Sequence, residues 1–153
     1  MKTICEGWFT SVLTYCLPLF GGCNQHEIDD LQIIQNKIAR LVTESSIRRN
    51  RQEIFEELGW LTVRQLIFYH SMLAAYRIKL TGEPESLGIL FNNENRNSKI
   101  IIPMSNLTLY RKSFVYRGIS GWNTLPEDLK LPMGMGQFKA NLKRWIRCEV
   151  PKF

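Results

Sequence analysis

Cationic side chains gather at three places in this sequence. Arg48, Arg49 and Arg51 lie in a short linker, Arg111, Lys112 and Arg117 flank an apolar helical pattern, and Lys139, Lys143, Arg144 and Arg147 punctuate the last helical pattern. Arg64 stands apart, near the start of a long helical stretch. Guanidinium and ammonium groups donate to phosphate oxygens, so the chemistry open to such groups is the binding of a polyanion. The charge is uneven along the chain. Residues 1–61 carry six Lys/Arg against eight Asp/Glu, and residues 62–153 carry fourteen against six, within an overall formal charge of +6. A basic second half suits nucleic acid or an anionic membrane surface. For the linker arginines, contact with phosphates and a simple solvated connection are both open readings.

Catalytic groupings are missing at the level of spacing. Nucleotide transfer uses two metal ions held by carboxylates, yet the one pair of adjacent aspartates, Asp29-Asp30, sits in a helical pattern, where acidic residues favour the helix N-terminus. Neither a phosphate-binding glycine loop, a nucleophile elbow nor an H-E-x-x-H zinc motif occurs. Cys5, Cys16, Cys23 and Cys148 form no C-x-x-C, and only His26 and His70 could assist them, so no metal site is expected. Reduced, buried thiols are the simpler expectation. His70 reads as a core-edge or surface histidine. Asn106-Leu-Thr108 fits the glycosylation sequon, which matters only in a secreted chain.

The elements that must hold the cations are mostly helical. Trp8, Val12, Tyr15 and Leu19 recur at helical spacing and predict one apolar face, punctuated by Pro18 and Gly21-Gly22. As a signal peptide the same stretch is weakened by Glu6, Thr10, Ser11 and Thr14, and as a transmembrane span it is too short and too polar. Gln25 to Ser46 predicts an amphipathic helix with Ile28, Leu31, Ile34 or Gln35, Ile38, Leu41 and Val42 inside. Gln35 and Asn36 read either as base-contacting amides or as solvated ones. Arg51 to Leu58 predicts a short helix stopped by Gly59. A longer one from Thr62 to about Leu80 would bury Leu66, Tyr69, Leu73, Tyr76 and Leu80 and end before Gly82 and Pro84. Lys99 to Pro103 reads as a strand that pairs with Leu107–Tyr110. Ser113 caps a helix carrying Phe114, Gly118, Ile119 and Trp122, which Pro126 ends. Its two glycines suggest close approach of another backbone. Met133 to Gly136 reads as a flexible connector, and Gln137 to Cys148 as a helix with Phe138, Leu142, Trp145 and Ile146 inside and its cations outside.

Three words in this order carry a resemblance: L-Q-x-x-Q-N-K-x-A-R at Leu31 to Arg40, L-G-W-L-x-V-R-x-x-I-x-Y at Leu58 to Tyr69, and F-x-x-R-x-x-x-x-W-N-x-L-P at Phe114 to Pro126 followed by Phe138-Lys139 and Leu142-Lys143. Together they resemble the region after the catalytic palm in reverse transcriptases of jockey-like non-LTR (LINE) retrotransposons. The resemblance spans roughly Gly7 to Ile146 and implies a thumb-like helical region at residues 1–82 and a basic C-terminal extension at 83–153, packed as one unit. The family's aromatic-x-D-D strand word is absent, as are fingers, palm and the zinc-knuckle-like tails some members carry. Met1 then reads as a truncation point, or as a start codon inside an older reading frame.

These readings set the expectations. The fold class is mainly α, an irregular bundle of about five or six helices with one small β-hairpin-like element near residues 99–110. The resemblance implies a non-catalytic fragment of an RNA-directed DNA polymerase that grips an RNA or DNA duplex through phosphates, independent of sequence. Arg48, Arg49, Arg64, Arg111, Lys112, Arg117, Lys143 and Arg144 are the expected contacts. No catalytic residue, metal ligand or cofactor is expected in this chain, since Mg²⁺ belongs to the parent polymerase's palm. That missing palm is a second expected partner, a membrane is not, and the location is intracellular, in nucleus or cytoplasm, rather than secreted. The alternative is an inactive relic or co-opted protein-interaction module without nucleic-acid binding, marked by an exposed apolar patch at Trp8, Val12 and Tyr15.

Overall fold

The computed structural model describes residues 4, 6–46 and 48–148, with Cys5 outside them. The architecture is mainly α, with no named strand among the described residues. The chain forms two compact units, residues 1–67 and 68–153.

In the first unit, the expected leading helix is broken. A π-helical turn at Glu6–Thr10 runs into α1 (Ser11–Thr14), and α2 (Leu17–Phe20) follows. The break lies at Cys16, which adopts a left-handed conformation (φ 51°), and Pro18 opens α2 instead of closing a longer helix. Ser11 and Thr14 hydroxyls bond back to the Trp8 and Thr10 carbonyls at 2.9 and 2.7 Å. Leu13 and Leu17 turn inward, while the apolar stripe of Trp8, Val12, Tyr15 and Leu19 lies on the outside.

The next helix, α3 (Gln25–Val42), starts in a capping box: Glu27 Oε2 accepts the Asn24 N–H at 2.9 Å. Its inward face is not the expected aliphatic one. Ile28, Gln35 and Ala39 are buried, whereas Leu31, Ile33, Ile34 and Leu41 are exposed. Gln35 Nε2 donates to the Leu61 carbonyl and Gln32 Oε1 accepts the Val63 N–H, both at 2.9 Å. The second bond satisfies a donor at the start of α5 that no intrahelical carbonyl can reach. Gln35 therefore neither faces water nor awaits a base, while Asn36 is half-buried and its Oδ1 accepts from Gln32 Nε2 at 2.9 Å. α4 (Arg51–Leu58) is capped by Asn50 and closed by Gly59 at φ 67°, as its sequence predicts. It packs Ile54, Phe55 and Leu58 around Ala39, with Trp60 edge-on to Phe55.

Helix α5 (Val63–Thr81) begins in a second box, where Gln65 Oε1 accepts from Thr62 N and Thr62 Oγ1 from Gln65 N. The division between units falls inside it, after Ile67. Its residues in the second unit bury Phe68, Met72, Ala75, Tyr76 and Ile78, and leave the expected core positions Tyr69 and Leu73 half-buried and Leu80 exposed. Apolar residues occur all round this helix, so periodicity did not fix which side turns inward.

After Gly82 (φ 70°), α6 (Glu85–Phe91) leads into a short hairpin across residues 93–101. Its pairing corrects the expected one. Ile100 bridges Glu94 upstream, not Leu107–Tyr110, because Thr108–Lys112 is helical (α7). Asn95 organises the turn, its Oδ1 accepting from the N–H groups of Asn97 and Lys99.

Ser113 caps α8 (Phe114–Thr124), accepting from Tyr116 N at 3.3 Å, and Leu125 is extended before Pro126. Its glycines face side chains, not another backbone. A Cβ on Gly121 would lie 2.7 Å from Met72 Cε and 3.0 Å from Phe68 Cε2, and one on Gly118 3.0 Å from Phe91 Cζ. Asn123 clamps the hairpin. Its Oδ1 accepts the Ile100 N–H and its Nδ2 donates to the Ile100 carbonyl, both at 2.9 Å. α9 (Glu127–Lys130) and α10 (Met135–Cys148) complete the unit.

The core of this unit is aromatic. Tyr76 stacks on Phe138 at 4.0 Å between ring centres and lies 6.2 Å from Trp122. The Tyr76 hydroxyl donates to the Met133 carbonyl and accepts its N–H, so the stretch expected to be a flexible connector is pinned at Met133. Ile119, Trp122, Phe138 and Leu142 are buried as expected, while Phe114 and Trp145 are only partly so.

Candidate nucleic-acid interface

Each expected cation can be placed by the element that holds it. In the first unit, Arg40 Nη1 donates to the Ser46 and Arg49 carbonyls at 3.1 and 3.2 Å, which fixes the path of the linker. Arg48 is exposed on that linker. Arg49 is committed: its Nη2 lies 2.7 Å from Glu57, its Nε 3.8 Å from Glu53, and its Nη1 donates to Ser45 Oγ. Arg64, on the first turn of α5, lies 3.3 Å from Asp29. A phosphate reaching Arg49 or Arg64 must compete with those carboxylates, although exposed pairs of this kind are worth only about 0–1 kcal/mol.

In the second unit, the structure brings Arg111, Lys112 and Arg117 together at the junction of α7 and α8. Arg117 Nε donates to the Lys112 carbonyl at 3.2 Å, and Arg111 and Lys112 are exposed. Lys143 and Arg144 lie on α10, which contains no acidic residue in its 14 positions. Phe138, Leu142 and Ile146 occupy its buried side, and Lys139, Lys143, Arg144 and Arg147 are all exposed. The same 3–4 spacing that selects Lys143 thus also selects Lys139 and Arg147, which belong with the expected pair. With no carboxylate among its own 14 residues, this helix presents a row of cations that a phosphate backbone could follow.

Titrating groups near these elements are shifted, Tyr110 on α7 upward by burial and by Tyr116. His70 on α5 is half-buried, and burial, reinforced by the positive charge of Lys139, lowers its pKa from the ordinary 6.5. It is thereby biased to the neutral form. Its ring meets Tyr69 edge-on at 5.3 Å, and burial raises the Tyr69 hydroxyl.

Both aspartates of the Asp29-Asp30 pair are engaged within the first unit. Asp29 Oδ1 accepts from Gln25 and Arg64, and Asp30 lies 3.0 Å from His26 Nδ1. Among the described residues, no three His, Cys, Asp or Glu side chains gather as a metal site requires. Nor is any described helix long and apolar enough to cross a membrane. The thiols differ from expectation: Cys16 and Cys148 are exposed and Cys23 is half-buried.

No family model, curated protein or solved structure matches the chain.

Proposed function

We propose that this chain is a non-catalytic nucleic-acid-gripping module, equivalent to the thumb and post-palm region of a retrotransposon RNA-directed DNA polymerase. The carrying observation is α10, whose outer face offers four exposed cations and no acid. The cluster at Arg111, Lys112 and Arg117 supplies further donors in the same unit, and the first unit has an exposed cation of its own in Arg48. Such groups hold phosphates and carry no base-specific information, so an RNA–DNA hybrid or DNA duplex of any sequence is the ligand. The chain supplies no catalytic residues of its own; Mg²⁺ and nucleotide addition belong to the palm of the parent polymerase. Titration of hybrid binding between 50 and 200 mM salt tests this reading. If four to six phosphates are neutralised, log K falls with log salt at a slope of about −4 to −5. Binding that is absent, or flat with salt, overturns it.

A second reading has an observation in its favour. Trp8, Val12, Tyr15 and Leu19 are 80, 72, 75 and 69% exposed, a display of apolar groups that marks interaction surfaces. This supports a protein-interaction module, the palm of a polymerase being one partner. A chain that ignores hybrid at low salt yet loses partner binding with Trp8→Ser and Tyr15→Ser would favour it.

A further inference from the structure

The second unit contains a cavity of about 270 Å³ lined by Lys79, Glu94, Ser98, Trp122, Glu127, Asp128, Lys130 and Leu131. It belongs to none of the cationic groups described above. The hairpin contributes Glu94 and Ser98, and the clamp of Asn123 on Ile100 holds that hairpin in place.

Two ammonium groups are sunk in its walls. The Lys79 side chain is 19% exposed; its Nζ donates to the Phe91 carbonyl and to Glu94 Oε1 and lies 5.5 Å from the centre of the Trp122 ring. The Lys130 side chain is only 11% exposed, and its Nζ has one partner among the described residues, Glu127 Oε1 at 2.8 Å. An ammonium carries three donors, and a nearly buried one seeks acceptors for all of them. Two donors of Lys130 therefore find no acceptor among the described residues.

The carboxylates stand differently. Glu127 is 77% exposed on its side chain and Asp128 is exposed, so both remain well solvated. Glu127 loses little by swinging into water, because an ion pair held by an exposed, flexible carboxylate is weak. The sunken lysine, in contrast, keeps its need for oxygen acceptors.

We propose that this cavity binds a single small oxyanion, a phosphate or carboxylate group, on Lys130, with Glu127 as the displaceable internal occupant, while Lys79 stays paired with Glu94. The volume lies just below the range of sites that enclose drug-sized ligands, which limits the guest to a small group or the end of a larger molecule. This holds whether or not the chain grips nucleic acid.

The test is NMR titration of the full chain with inorganic phosphate and, separately, acetate, following the Trp122 indole N–H. Saturable shifts with phosphate alone identify a phosphate site, and with acetate alone a carboxylate site. Lys130→Gln should weaken binding at least about tenfold. Glu127→Gln should tighten it about two- to fivefold, because a competitor worth up to about 1 kcal/mol is removed. Arg111→Gln, outside the cavity, should change nothing. Absence of saturation with either anion overturns the proposal, and so does weaker binding in Glu127→Gln. The Glu127 variant lies at an exposed position, so it decides the matter even if Lys130→Gln fails to fold.

Discussion

Asn123 is the sharpest test of how the second unit is assembled. Its amide makes both backbone hydrogen bonds of Ile100, a residue only 2% exposed. Truncation to alanine leaves one N–H and one C=O without partners where water reaches poorly. Each unmet group costs about 1–3 kcal/mol, and partial relaxation of the hairpin keeps the sum near 2–4 kcal/mol. With a urea m-value of about 2 kcal/mol/M, the unfolding midpoint should fall by about 1–2 M. Aspartate is the finer probe, because it keeps the acceptor toward Ile100 N but sets an anion against the Ile100 carbonyl. That repulsion raises the folded-state pKa of the new carboxyl above its unfolded value near 3.9. The deficit of Asn123→Asp is then largest at neutral pH, and it shrinks as pH falls through the raised folded value, where a protonated carboxyl can donate. Urea titrations at several pH values, with hydrogen exchange of the Ile100 amide, measure both effects. An alanine variant within about 0.5 kcal/mol of the parent, with its Ile100 amide still protected, would refute the clamp.

Other expectations can be checked with the same unfolding assay. Gly88→Ala places a Cβ 2.3 Å from the Gly82 carbonyl oxygen, and backbone cannot step aside cheaply, so a loss of about 1–3 kcal/mol should appear. His70 has a folded pKa below the ordinary 6.5, so the unfolded chain takes up the proton first. Stability should be full above pH 6.5 and decline as pH drops toward the lower folded value, and His70→Gln should flatten that slope. Gln35→Leu strands the Leu61 carbonyl and should cost about 1–3 kcal/mol despite its added hydrophobicity.

Helix ends were the most legible features in the sequence. Ser113, Gly59, Thr62 and Pro126 act through local geometry that neighbouring residues decide, and each does what its type predicts. Faces were harder. α3 and α5 carry aliphatics on more than one side, so spacing alone could not choose between Leu31–Ile34 and Gln35–Ala39. The choice is made by carbonyl and N–H groups at Leu61 and Val63, distant in sequence. The hairpin partner of Ile100 was missed for a similar reason, since the pairing depends on a side chain 23 residues downstream. At the candidate interface, composition revealed the cations but not which of them carboxylates hold. Arg49 and Arg64 meet Glu57 and Asp29 through folding, whereas the acid-free run of α10 is plain in the sequence.

The two glutamines of α3 have a consequence for how the first unit selects a single arrangement. A rod with comparable oily strips on opposite sides could roll about its axis at little cost, and van der Waals contact alone would tolerate several settings. Amides do not tolerate this, because an N–H must meet a lone pair at a defined angle. Gln32 and Gln35 thus act as a rotational key, giving up some greasy contact for one fixed orientation. Replacing both with leucine would leave a helix able to settle in more than one roll angle, visible as multiple resonances for Leu61 and Val63.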